Sequence, residues 1–159
     1  VIMSSSGGTS IDMNAGDTLT LFAFQNSDTS KTLEANGDLN HLSIELVSGP
    51  AAIAATETVS CAVRTSSGQS IPASTSTQVV FNSVDHNTHE GTFNTATGTF
   101  TAPVSGLYET VVQVAPAGAA NLAYDINIFY NGTQRTNARI IGSNSLGGLS
   151  LKGNWTGRL

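Results

Sequence analysis

The sequence predicts an all-β fold of the sandwich, barrel or jelly-roll kind. Three observations lead to this class. Short segments alternate apolar and polar residues, turn residues separate them about every 8 to 12 residues, and no convincing amphipathic helix is present. The clearest segment is 122–130 (LAYDINIFY), which the strong hairpin signal Asn131-Gly132 follows directly.

The predicted strands follow one another along the whole chain. They are residues 10–13, 17–24, 41–47, 57–65, 77–84, 99–101, 107–114, 122–130 and 133–141, with 149–155 as one further candidate. Between 101 and 107 the chain must turn, because Pro103 cannot donate to a sheet ladder and Gly106 tolerates a positive φ. Residues 25–39 and 85–90 are polar and are expected to form loops.

Strand 17–24 (DTLTLFAF) is apolar on both faces. Leu19 and Leu21 lie on one face, whereas Phe22 and Phe24 lie on the other. Apolar residues on both faces indicate either an inner strand or a strand that contacts another subunit.

Composition bounds the functional classes. A chain of 159 residues is long enough for one domain with a real core. A net charge of −5 with six Lys and Arg argues against a nucleic-acid partner, because phosphate contacts need clustered cations. No apolar run approaches the roughly 20 residues of a membrane span. The charged fraction is only 11%, and a surface of hydroxyls and amides suits extracellular β proteins, so we expect an extracellular, cell-surface or virion location.

The sequence offers little catalytic chemistry. Serine, histidine and aspartate are present without a nucleophile-elbow pattern, so no enzyme activity is expected. The single cysteine, Cys61, lies in an alternating run and is expected to be a buried strand thiol rather than a nucleophile. His86 and His89, with carboxylates beside them, could bind a divalent cation, although a solvated polar loop is the simpler interpretation.

One stretch resembles a known family. The spacing of Phe93, Phe100, Gly106 and Tyr108, preceded by Phe81, resembles the signature of the C1q/TNF-like superfamily. The resemblance covers roughly residues 57–132 and implies a jelly-roll sandwich in which these five residues belong to the core signature. Two departures stand out. Phe93 lies one residue late relative to Phe81, and Thr110 and Val112 replace aromatic residues of the family.

The order of the pieces is unusual for that family. Residues 1–47 resemble the C-terminal strands of such a roll and residues 57–159 resemble its N-terminal strands, with 48–56 as a connector. Together they are expected to form one domain. Either the strand order is circularly permuted, or a neighbouring subunit completes each roll. Completion that runs head to tail does not close and gives a filament. The connector further resembles segments of phage tail-fibre and bacterial surface proteins.

The resemblance also implies assembly, because members of the superfamily are typically trimers. The residues that we expect at a trimer or subunit interface are Phe22, Phe24, Tyr124, Ile126, Ile128 and Tyr130. The alternative is that these side chains fill the interior of the roll itself. The resemblance further allows calcium as a bound cation, but no dense run of oxygen ligands is present.

The resulting functional hypothesis is a structural one. The chain is expected to be an extracellular subunit of a trimeric or filamentous assembly, such as a phage tail fibre or a bacterial surface filament. The alternative is a receptor- or carbohydrate-binding head domain of a trimeric adhesin, with a cell-surface glycan or receptor as its partner.

Overall fold

A computed structural model describes residues 5–35, 38–48, 59–115 and 123–141. Within these ranges the chain forms strands β1 (Ser5–Met13), β2 (Thr18–Gln25), β3 (Lys31–Leu33), β4 (His41–Ser48), β5 (Ser60–Arg64), β6 (Gln69–Ile71), β7 (Thr77–Gln78), β8 (Ser83–Asn87), β9 (Phe93–Asn94), β10 (Thr99–Thr101), β11 (Gly106–Val114), β12 (Ala123–Tyr130) and β13 (Thr133–Ile141). The predicted all-β fold is confirmed. The candidate strand 149–155 and most of the connector 48–56 lie outside the described residues.

The strands form two large antiparallel sheets and one small one. The first sheet has the order β1-β11-β4-β5-β8, and the second has the order β13-β12-β2-β10-β9, with β7 also paired to β2. Strands β3 and β6 pair separately. This arrangement is that of a jelly-roll sandwich.

The alternation of residues along each strand explains the layers. In β2, Leu19 and Leu21 are fully buried, whereas Thr20 and Phe22 point outward and are half-buried. In β11, Tyr108 and Val112 are buried on the inner side of the first sheet. Because side chains alternate with period two, each sheet contributes one apolar face to a shared core.

The residues of the C1q-like signature lie at the centre of that core. Phe81, Phe100 and Tyr108 are fully buried, and Phe93 is 7% exposed. The rings of Phe100 and Tyr108 meet edge to face, with centroids 5.7 Å apart. The Tyr108 hydroxyl donates to the backbone oxygen of Val104 at 2.8 Å, which satisfies the polar end of a buried ring.

Three predicted elements differ from the structure. The predicted loop 25–39 contains the short strand β3, which pairs with β6. The predicted strand 77–84 is divided, because β7 is short and the chain then leaves β2 to pair with β5 in the first sheet. His86 therefore lies in edge strand β8 and not in a loop. Polar side chains suit this position, since an edge strand is open to solvent.

The two parts of the chain are interleaved. We call residues 5–48 the N-terminal segment and residues 59–141 the C-terminal segment. In the first sheet β4 lies between β11 and β5, and in the second sheet β2 lies between β12 and β10. The N-terminal segment thus supplies an inner strand to each sheet.

Candidate functional site

The boundary between the two segments is the most extensive feature of the described structure. We call it the seam and define it as the ladders that join β1, β2, β3 and β4 to strands of the C-terminal segment. Its apolar part includes Leu42 and Ile44 of β4 and Leu19 and Leu21 of β2, each at most 1% exposed. Full burial of such a side chain stabilises the fold by about 1.5–3 kcal/mol. The seam is therefore part of the core.

A buried amide closes one part of the seam. Asn40 is fully buried, and its Oδ1 accepts from the backbone nitrogen of Ala115 at 2.7 Å. Its Nδ2 donates to the backbone oxygen of Glu34 at 2.5 Å, and its own backbone oxygen accepts from Thr65 at 3.0 Å. Asn40 thereby joins the N-terminal segment to two separate points of the C-terminal segment.

A second polar cluster joins the turn before β2 to the turn after β12. The Asp17 carboxylate accepts from the Tyr130 hydroxyl and from Asn131 Nδ2, the latter at 2.7 Å. Asn131 Oδ1 accepts from the backbone nitrogen of Thr18 at 2.8 Å. Asn131 and Gly132 both have positive φ, as the two-residue hairpin signal predicts. The hairpin turn is thus fixed to the N-terminal segment.

A third buried group crosses the seam near β6. Gln25 is fully buried, and its Nε2 donates to the backbone oxygen of Ile71 at 3.1 Å. Its Oε1 accepts from the backbone nitrogen of Ser27 at 2.8 Å. The sequence places Asn40 beside a strand and Gln25 in a polar stretch, where nothing distinguishes them from exposed amides, so neither residue is predicted.

Hydrogen bonding makes Asp17 responsive to acid. The bonds from Tyr130 and from Asn131 lower the pKa of Asp17 below its usual value of 3.8. A lowered pKa in the folded state means that the ionised group stabilises the fold above its unfolded pKa, and this contribution is lost as pH falls through the folded value. Acid should therefore weaken this end of the seam.

We expect Asp17→Asn to reduce the loss of folding stability between about pH 4 and pH 2, because the variant lacks the titrating carboxylate. Urea unfolding at several pH values measures this. Tyr130→Phe, which keeps Asp17 but removes its hydroxyl donor, should reduce the same pH dependence in part. An unchanged pH dependence in both variants would contradict the assignment.

The residues predicted for a subunit interface have three different locations. Ile126 and Ile128 are 4% and 2% exposed in the core of the single chain, so they are core side chains rather than part of a surface that another subunit could contact. Phe22 and Phe24 are half-buried on the outer face of the second sheet, and Phe22 packs against Phe129 with ring centroids 4.4 Å apart. Tyr130 belongs to the seam.

Tyr124 completes the predicted set. Its backbone pairs with Gln25 in the ladder between β12 and β2, and its side chain lies outside the described part of the chain. Gly106 of the C1q-like signature opens strand β11 and is half-buried, opposite Met13 of β1.

The two histidines predicted as cation ligands contact different hydroxyl groups. His86 is exposed, and its Nε2 lies 3.0 Å from Ser60 Oγ. His89 Nδ1 lies 3.1 Å from Thr88 Oγ1. Among the described residues no three His, Cys, Asp or Glu side chains lie close enough together to hold a metal ion.

The single cysteine lies in the core and not in a reactive setting. Cys61 is 1% exposed in β5, and burial raises the pKa of its thiol to about 11. At neutral pH the thiol is thus protonated and a poor nucleophile.

Exposed apolar side chains are concentrated on the first sheet. The large hydrophobic residues that are exposed within the described ranges are Val47 of β4, Val84 of β8 and Val111 of β11, at 54%, 43% and 44%. All three strands belong to the same sheet. The sequence does not single out these valines, because valine is equally common in strand interiors.

A family comparison agrees with this architecture. The C1q domain family model matches residues 61–145, which is more than half of the chain. No curated protein and no solved structure is significantly similar to this chain. In the part of the chain that is described, no helix has the length and apolar character to cross a bilayer. C1q domains are typically non-enzymatic structural and recognition modules that self-associate as trimers in extracellular or secreted proteins. The chain belongs to the C1q domain family.

Proposed function

We propose that this chain is an extracellular structural subunit that self-associates as a trimer within a fibre, such as a phage tail fibre or a bacterial surface filament. The observation that supports this most is the exposure of Val47 and Val111 on the outer face of the first sheet. Exposed apolar surface costs about 25 cal/mol per Å², so covering it with another subunit stabilises the assembly. The C1q family membership supports the trimer.

The surroundings of Val111 favour close approach by another subunit. The residues in register with Val111 across the first sheet are Gly8 of β1, Ser43 of β4 and Ala62 of β5, followed at the sheet edge by His86 of β8. Because Gly8, Ser43 and Ala62 have small side chains or none, a second surface can approach the sheet closely beside Val111. Phe22 and Phe129 on the other sheet cover each other instead.

We further propose that one chain completes its own roll as a circularly permuted C1q domain. The proposal is supported by the positions of β1, β2 and β4, which precede the region matched by the family model but lie beside strands of that region in both sheets. In this interpretation residues 1–47 are the late strands of the family and residues 57–159 are its early strands.

We expect Val111→Glu to weaken self-association by about 100-fold. A carboxylate buried without a partner at an interface costs about 3 kcal/mol or more, and Glu109 adds a like charge two residues away. Mass photometry across a dilution series measures the effect. Thr101→Glu places the same charge on the outer face of the second sheet and should leave the assembly intact. Equal masses for wild type and Val111→Glu would contradict the proposed interface.

The alternative, a carbohydrate-binding head, is favoured by one arrangement on the second sheet. The rings of Phe22 and Phe129 lie beside Asn127, which pairs with Phe22 and accepts from Gln134 Nε2 at 2.8 Å. The two half-buried rings are able to stack on a sugar, and the exposed amide of Gln134 is able to hydrogen-bond its hydroxyls. If this alternative holds, a glycan array should show binding that Phe22→Ala abolishes and Thr101→Glu does not. If the array shows no binding, only the structural role remains.

A further inference from the structure

The N-terminal segment pairs only with the C-terminal segment. Its four strands take part in seven ladders. Strand β1 pairs with β11, β3 pairs with β6, and β4 pairs with β11 and β5. Strand β2 pairs with β10, β12 and β7. Among the described strands no ladder joins two members of the N-terminal segment to each other. In contrast, the C-terminal segment also has internal ladders, β5 with β8, β9 with β10 and β12 with β13. The strands of the N-terminal segment therefore complete sheets whose other strands all belong to the C-terminal segment.

The polar side chains of the seam also join the N-terminal segment to the C-terminal segment. The amide of Asn40 holds Ala115, and the turn at Asp17 holds Asn131. Each joins one segment to the other. An N-terminal segment from a second copy would therefore form the same hydrogen bonds and bury the same side chains, with no new contact required.

Only residues 49–58 connect the two segments covalently. The flanking strands meet where Leu46 donates its backbone N–H to the oxygen of Val59 at 2.8 Å. Ten residues can span at most about 33–36 Å when fully extended, which exceeds the length of any one strand of the roll. The link is therefore longer than a two-residue hairpin needs, and when extended it spans more than the length of one strand.

We propose that at high concentration copies of this chain exchange their N-terminal segments, so that residues 5–48 of one copy complete the sheets of the next, whereas at low concentration each chain completes its own roll. Each copy donates one segment and accepts one, so the contact is head to tail, and repeated exchange builds a filament when the rotation between copies does not close a ring. This inference rests on the proposed structural role and specifies how the filament grows. The partner is a second copy of this chain, and the docking surface is the set of strands with which the N-terminal segment pairs, namely β5, β6, β7, β10, β11 and β12.

Concentration should control the exchange. The completed roll has the same contacts in both forms, so the balance depends on the effective concentration of the tethered segment, about 1 mM for a short flexible link. Chains folded far below this concentration complete themselves. Chains folded near it should exchange.

A pair of cysteines across the seam distinguishes the two forms. Thr20 of β2 and Thr99 of β10 face each other on the outer side of the second sheet. In the 159-residue chain with Cys61→Ala, Thr20→Cys with Thr99→Cys can be linked by oxidation or by a short bis-maleimide. The matched control replaces Asn94 and Thr99, which face each other within the C-terminal segment.

Both variants are refolded at roughly 1 µM and roughly 1 mM, linked, and run on non-reducing denaturing gels. We expect the seam pair to give single chains at the low concentration and a ladder of covalent multimers at the high one, with single chains for the control at both. Single chains for the seam pair at both concentrations would overturn the exchange. If native mass measurements still show assemblies in that case, the structural role stands without exchange, whereas monomers throughout would remove both.

Discussion

Asn40→Ala should lower the free energy of unfolding by about 2–4 kcal/mol. The substitution removes the acceptor of the Ala115 backbone N–H and the donor to the Glu34 backbone oxygen, and Ala115 is itself fully buried. A buried N–H that is left without its partner destabilises the fold by the full free energy of its desolvation. Urea unfolding of the two proteins, followed by tryptophan fluorescence or circular dichroism, measures the difference.

Asn82 provides the matched control for Asn40. Its Oδ1 also accepts from a backbone nitrogen, that of Ser66 at 2.8 Å, but the site is exposed. Water can replace this bond, so Asn82→Ala should change the stability by about 0.5 kcal/mol or less. Equal losses in the two variants would show that burial at the seam does not decide the effect.

Gly98→Ala should destabilise the fold by about 3 kcal/mol or more, for two reasons that add. Gly98 has φ of +60°, a conformation that side chains rarely adopt. A Cβ at this position would also lie 2.5 Å from the Val79 backbone oxygen and 3.0 Å from the Val80 Cα. Both atoms belong to the backbone and cannot move aside without shifting the chain that pairs with β2. Thermal and urea unfolding give the size of the loss.

Gly132→Ala separates conformational strain from steric overlap. Gly132 has φ of +75°, but a Cβ there would meet nothing within 4 Å. Only the cost of the left-handed conformation remains, about 1–2 kcal/mol. If Gly132→Ala proved as destabilising as Gly98→Ala, the close approach to Val79 would not be the cause.

The sequence predicts the fold class and the core well because both depend on local alternation. Buried strand residues such as Leu19, Leu21 and Tyr108 repeat with period two, and this repeat is visible without knowledge of the partner strands. The turn at Asn131-Gly132 follows from backbone preference alone.

The assignment of faces to partners is not predictable in the same way. Ile126 and Ile128 share a face that is apolar in the sequence, and apolarity fits the core and a subunit interface equally well. Only the packing of β12 beside β2 places that face inside the single chain. The valines exposed on the first sheet are missed for the converse reason, because a valine within a strand fits the core in the sequence whereas the structure leaves these side chains exposed.

The polar part of the seam depends on contacts far apart in the sequence. Asn40 and Ala115 are 75 residues apart, and Asp17 and Asn131 are 114 residues apart. No local pattern marks an amide that will be buried by a strand so distant along the chain. The division of the predicted strand 77–84 between two sheets has the same origin, since β7 and β8 pair with different partners.

We expect residues 5–48 and 59–141 to unfold together as one cooperative jelly roll. Native-state hydrogen exchange with increasing denaturant tests it most directly, at the amides of Leu42 in β4 and Val112 in β11, which are partners in one ladder. We expect both amides to exchange with the free energy of global unfolding. Exchange of the N-terminal segment through an opening several kcal/mol lower, with the C-terminal segment still protected, would contradict the claim.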